Sequence, residues 1–173
     1  FLDCTNGGAL SRGFRLGWNQ RSMPLLARIR VYNTGDYGLA FVANNWNIGF
    51  DDLQIDTCGR TTGGSCGIFA DTAAVISNLL TCTFNRCQVE SCGTATSLAG
   101  GINMQARGAT LTFNACIVEG NIGTNQIYLR NMEAVSINNI HIEQNNSSGT
   151  YYGITIDGCD GQIMGGEISG AGA

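Results

Sequence analysis

One short pattern recurs along this chain and limits its fold more than any other feature. It reads FDDLQIDTC from Phe50, FNRCQVESC from Phe84, FNACIVEGN from Phe113 and INNIHIEQN from Ile137, with weaker copies LARIRVYNT from Leu26 and IMGGEISGA from Ile163. Successive starts lie 24, 34, 29, 24 and 26 residues apart. Counting the first residue as position 0, each strong copy has apolar side chains at positions 0, 3 and 5 and an acidic one at 6. A unit of this length cannot bury its own apolar face, so the copies must stack and share one elongated core.

Side chains alternate between the two faces of a strand. Positions 3 and 5 obey that rule together, and position 0 breaks it. A two-residue turn between two short strands restores the alternation, and its first place is held by Asp51, Asn85, Asn114 and Asn138. Asn and Asp tolerate left-handed backbone angles and bond their own backbone, so the left-handed residue is expected there. A further strand follows downstream: GFRLG from Gly13, GLAFV from Gly38, GIFAD from Gly67, GINMQ from Gly101, QIYLR from Gln126 and GITID from Gly153. A third leads into each copy, as in Ile48 with Phe50 or Leu111 with Phe113.

Three strands per repeat describe a coil, and parallel strands stack about 4.8 Å apart. The expectation is therefore an all-β chain: a parallel β-helix of about six coils with three parallel sheets. A leucine-rich repeat would need a helical segment and a Leu-rich consensus, and neither is present. A β-sandwich would show turn signals at roughly 8 to 12 residues without a shared register. Residues 57–66, 91–100, 144–152 and 72–80 carry the length variation, and insertions of this kind decorate the binding face of a solenoid.

Composition supports this reading. There are 25 Gly and 17 Asn against a single Pro, which supplies many tight turns while sparing the sheet its main breaker. All nine basic residues are Arg, there is no Lys, and the net charge of −4 opposes the counterion release that drives nucleic-acid binding. A hydrophobic content of 43% without a long apolar run excludes both a disordered tail and insertion in a membrane. The start FLDCTNGGAL lacks an initiator Met and a leader pattern, so residues 1–173 are expected to be one domain cut from a longer chain.

Of the eight cysteines, the repeat puts Cys87 and Cys116 at one equivalent position and Cys58 and Cys92 at another. Buried thiols acting as small apolar fillers are the expectation, with a disulfide framework as the competing reading. The spacing Cys82-x4-Cys87-x4-Cys92 does not suit structural zinc, and no dense Asp cluster marks calcium, so no metal and no cofactor are expected.

The three-strand coil with its Asn-bearing turn resembles the right-handed β-helix of the pectate lyase-like superfamily. More narrowly, YGLAFVANNWNIGFDDLQIDTCG (37–59) and CIVEGN (116–121) are similar to the β-helix bodies of bacteriophage tailspike and tail-fibre proteins. That resemblance implies a homotrimer on the virion, beside other virion proteins, that binds and often cleaves bacterial surface polysaccharide. The alternatives are a secreted, extracellular polysaccharide lyase or glycoside hydrolase, and a structural β-helix segment of a viral or adhesive fibre.

On the strand after the turn, outward positions stack a carboxylate from four successive coils: Asp56, Glu90, Glu119 and Glu143. Neighbours roughly 5 Å apart and alternate members roughly 10 Å apart bracket the separations used by retaining and inverting glycosidases. Asp56, Glu90 and Glu119 are the catalytic candidates. A residue type repeated from coil to coil is foremost the mark of a structural ladder, solvated or at an interface, and cation binding is a third reading of the stripe. His141, the only histidine, stands beside Glu119 and Glu143 as a charge partner that relieves carboxylate repulsion, as a general acid or as a sugar-binding residue. On the other outward stripe, Phe69, Asn103, Tyr128 and Arg130 offer ring faces and hydrogen-bonding edges to a sugar. The alternative buries Phe69 and Tyr128 under a loop or a neighbouring subunit, and Trp18 and Trp46 carry the same ambiguity. For a lyase, only Arg107 and Arg130 could take a proton.

Overall fold

The structure is a computed structural model and describes residues 13–16, 25–41, 47–61, 63–70, 81–105, 110–144 and 151–170. Trp18, Trp46, Arg107 and the stretch 72–80 lie outside them. Among the described residues every regular element is a strand. The first turn of the coil holds β1 (Phe14–Leu16), β2 (Leu25–Ala27) and β3 (Arg30–Tyr32). The second holds β4 (Leu39–Phe41), β5 (Asn47–Asp51) and β6 (Gln54–Asp56), and the third β7 (Ile68–Ala70), β8 (Thr81–Asn85) and β9 (Gln88–Glu90). Then come β10 (Ala99–Gln105), β11 (Thr110–Asn114) and β12 (Ile117–Glu119), followed by β13 (Asn125–Arg130) and β14 (Ala134–Gln144). The last are β15 (Tyr152–Asp157) and β16 (Gly161–Gly170).

All pairings are parallel, and they build a solenoid of about five turns with three walls. The first wall runs β1-β4-β7-β10-β13-β15. The second runs β2-β5-β8-β11-β14, and the third β3-β6-β9-β12-β14, with β16 pairing β14. Because β14 continues unbroken through the corner, hydrogen bonding joins the second and third walls into one sheet.

The corner between those walls follows the sequence with one correction. The left-handed residue is not the Asn or Asp at position 1 but the residue after it: Asp52, Arg86, Ala115 and Asn139 have φ of 55°, 51°, 50° and 51°. Position 1 still belongs to the strand, and its side chains make a ladder, Asn138 Nδ2 donating to Asn114 Oδ1 and Asn114 Nδ2 to Asn85 Oδ1, both at 2.8 Å. Three of these left-handed residues donate their N–H to the next layer: Asp52 to Asn85 O at 3.0 Å, Arg86 to Asn114 O at 2.9 Å and Ala115 to Asn138 O at 2.9 Å. Those bonds offset the roughly 1–2 kcal/mol that an L residue gives up in that conformation.

Inward positions form stacks along the axis. Phe50, Phe84 and Phe113 lie face to face with centroids 5.1 Å apart at each step, and Ile137 continues the column. Cys87 and Cys116 form the neighbouring column and are free thiols, each aimed at a backbone carbonyl: Cys116 Sγ lies 3.4 Å from Phe84 O. Cys58 and Cys92 are buried free thiols in the same way, so the filler role holds for these four, whereas Cys159 is a free thiol that is only half-buried. Burial pushes the Cys66 and Cys82 thiols far up, which keeps them protonated and inert. The strand-opening glycines of the first wall have a steric reason. A Cβ on Gly67 would meet Val89 Cγ1 at 2.5 Å and the Gly101 carbonyl at 2.9 Å, because the first wall closes tightly on the third.

Candidate functional site

The third wall carries the carboxylate stripe in unbroken register. Tyr32 pairs with Asp56, Asp56 with Glu90, Glu90 with Glu119, Glu119 with Glu143 and Glu143 with Ser169. The parallel stripe two residues earlier reads Arg30, Gln54, Gln88, Ile117, His141 and Glu167. Central residues of these strands, Val31, Ile55, Val89, Val118 and Ile142, point inward and are buried. Packing of that column therefore forces the two flanking residues of each short strand outward.

Hydrogen bonds tie the stripes together. Gln88 Nε2 donates to Glu90 Oε2 at 2.8 Å, and Gln54 Nε2 to Gln88 Oε1 at 3.5 Å. At one end Arg30 lies 3.8 Å from Asp56 Oδ2 and over the ring of Tyr32, 5.6 Å from its centroid. At the other, His141 Nε2 lies 3.6 Å from Glu143 Oε2 and 3.9 Å from Glu119 Oε2, while its Nδ1 is 3.8 Å from Glu167 Oε2. Arg60 donates to the Ser91 carbonyl at 2.8 Å and so ties the 57–66 loop to the end of β9.

Glu90 sits in the middle of three carboxylates. Partial burial, reinforced by the charges of Asp56 and Glu119, raises its carboxyl above the usual carboxylate range, and the Gln88 amide only partly opposes this. A carboxyl whose neutral form is favoured in this way is suited to donating a proton, which is what acid-assisted cleavage of an acetal needs.

Phe69, Asn103, Tyr128 and Arg130 lie on the first wall, away from the carboxylates. Phe69, Asn103 and Tyr128 are neighbours in one stripe. Phe69 stacks on Tyr37 with centroids 4.3 Å apart and planes 12° from parallel, so one ring face is covered. Asn103 is only 4% exposed, lies between the Phe69 and Tyr128 positions and accepts a hydrogen bond from Gln105 at 3.0 Å. Arg130 Nε and the Tyr128 hydroxyl both bind Asp157 Oδ2, at 3.1 and 3.4 Å. The structure thus brings Asp56, Glu90, Glu119 and His141 together and leaves the other four as a separate surface.

Sequence reasoning left Tyr37 and Glu167 out of the site. Tyr37 meets Phe69 only because one layer rests on the next. Glu167 stands at position 4 of a weak repeat copy whose position 6 is Ser169, so the acidic-position rule passes over it. Comparison with protein-family models, with curated proteins and with solved structures finds no match to this chain.

Proposed function

We propose that this protein recognises bacterial surface polysaccharide along its third wall and hydrolyses it there, as the rod-like body of a tailspike-type receptor-binding protein. The observation that carries the reading is the register Asp56–Glu90–Glu119. Adjacent strands bring successive carboxylates about one layer, ~4.8 Å, apart, close to the spacing at which one carboxyl attacks the sugar and the other protonates the leaving oxygen. A stripe that repeats layer by layer also matches a polymer that repeats residue by residue. Gln54 and Gln88 flank it with hydrogen-bonding amides, and the Arg30–Tyr32 pair closes one end with a ring face. The first wall, with Tyr128, Arg130 and the exposed side of Phe69, supplies a second contact surface. Placement on a virion, as a homotrimer beside other virion proteins, comes from the tailspike-like phrasing of residues 37–59.

The experiment is depolymerisation of a panel of capsule and O-antigen polysaccharides by the full chain and by Asp56→Asn and Glu90→Gln. Loss of cleavage in both variants, with retained binding, supports the reading. Full activity in both overturns the carboxylate chemistry, and a product with the ultraviolet absorbance of an unsaturated uronate replaces hydrolysis by elimination. Light scattering tests the trimer: a monodisperse monomer with full activity removes the tailspike assembly. Recurrence of a carboxylate in four successive layers favours a second reading, a purely structural fibre segment, and absence of binding across the panel selects it.

A further inference from the structure

The carboxylate stripe is electrostatically unbalanced at one end. Arg30 serves Asp56, Arg86 serves Asp51 and Asp52, and Arg130 serves Asp157. Among the described residues no arginine pairs with Glu119, Glu143 or Glu167, which instead converge on His141. Even a protonated imidazole leaves this group of four with excess negative charge. The only other neighbour in the row is Ile117, opposite His141 on β12, which offers no charge. What the cluster lacks is a cation.

We propose that Glu119, His141 and Glu143 bind one divalent transition-metal ion of the zinc class. One oxygen from each glutamate and one imidazole nitrogen all lie within 4.8 Å of one another. His141 Nε2 is 3.6 Å from Glu143 Oε2 and 3.9 Å from Glu119 Oε2. Donors about 2.1 Å from a common tetrahedral ion are about 3.4 Å from each other, so small rotations of these side chains close the site. The two glutamates are fixed opposite each other on β12 and β14, and His141 stands two residues before Glu143 on the same face of β14. The donors are thus set by the register of the sheet rather than by a loop.

Two further features select the class of ion. An imidazole ligand favours zinc and its neighbours over calcium, which takes six to eight oxygens that this site does not offer. His141 Nδ1 faces Glu167 Oε2 at 3.8 Å, the outer carboxylate that orients a metal-bound histidine and raises its basicity. The side chains of Glu119, His141 and Glu143 are 31%, 35% and 40% exposed, so the fourth coordination position opens to solvent and can take water or a ligand oxygen. With Glu119 engaged by the ion, Asp56 and Glu90 remain as the pair for bond cleavage. The metal inference does not rest on the polysaccharide reading, because its readout is binding of the ion itself.

The test starts from the full chain stripped with chelator, titrated with Zn²⁺ by calorimetry and with Co²⁺ by its visible absorption. The expected result is one ion per chain, a tetrahedral Co²⁺ spectrum displaced by Zn²⁺, and a raised unfolding temperature. His141→Gln and Glu143→Gln should abolish stoichiometric binding, Glu167→Gln should weaken it by about 10- to 100-fold, and Asp56→Asn should retain it. Unfolding curves of the chelated variants establish that each is folded. Three results overturn the site: no stoichiometric Zn²⁺ binding, binding unchanged in folded His141→Gln, or Ca²⁺ bound as tightly as Zn²⁺.

Discussion

The third and first walls are built from the same coils, yet their outer surfaces differ in kind. On the third wall each short strand follows a fixed corner, one left-handed residue after the second wall, and the register from β3 to β16 has no shift. Its outward chemistry repeats: three glutamines or arginines in one row, four carboxylates in the other. On the first wall the strands follow connections of unequal length, and the register of β10 against β13 slips between Ala99 and Ile102. Its stripe reads Arg15, Ala40, Phe69, Asn103, Tyr128 and Thr155, with no residue type repeated. Constant connections align like with like and concentrate charge, whereas variable connections free each layer to carry its own side chain. A periodic surface suits a repeating polymer, and a singular one suits a single fixed contact.

The comparison breaks most severely where both walls share their support. Phe84 is fully buried between Phe50 and Phe113, so Phe84→Ala should cost about 3–5 kcal/mol and lower the urea midpoint for probes on either wall together. Separate transitions for the two walls would show that the column does not couple them. A smaller change tests the first wall alone. Phe69→Leu keeps an apolar side chain and removes the stack on Tyr37, so it should cost about 0.5–1.5 kcal/mol in the same assay. A neutral result would mean that the stacked pair adds nothing beyond its contact area.

These differences also mark how far the sequence could be read. The third wall was legible because its register is the period of the repeat: aligning Phe50, Phe84, Phe113 and Ile137 places Asp56, Glu90, Glu119 and Glu143 in one row, as the strands do. The left-handed corner was misplaced by one residue because intrinsic preference favours Asn over Arg or Ala there. Cross-layer hydrogen bonds from Arg86 and Ala115, which no local pattern encodes, outweigh that preference. The burial of Asn103 and the identity of Tyr37 as the ring covering Phe69 were hidden for a related reason. Both depend on residues of neighbouring layers joined through unequal connections, where no period aligns them. The convergence of Glu167 on His141 needed the last layer, whose copy of the repeat is the least regular.

The finest test of the periodic wall is the titration of Glu90 in chelated protein. Burial and the flanking charges of Asp56 and Glu119 favour its neutral form in the folded state, so its folded pKa lies above that of the unfolded chain. Between those two values the folded state binds more protons than the unfolded one, so stability falls as pH rises. This contribution is fully present below the ordinary glutamate value of about 4.3 and is gone once pH passes the folded pKa. Urea midpoints measured across that window should therefore drift downward in the parent chain more than in Glu90→Gln. Asp56→Asn removes one neighbouring charge and should bring the Glu90 carboxyl, followed by NMR, back toward its ordinary value. A Glu90 that titrates alike with and without the Asp56 charge would mean that the two carboxyls do not face one another across the layers, and the periodic wall would lose the proximity on which its proposed chemistry depends.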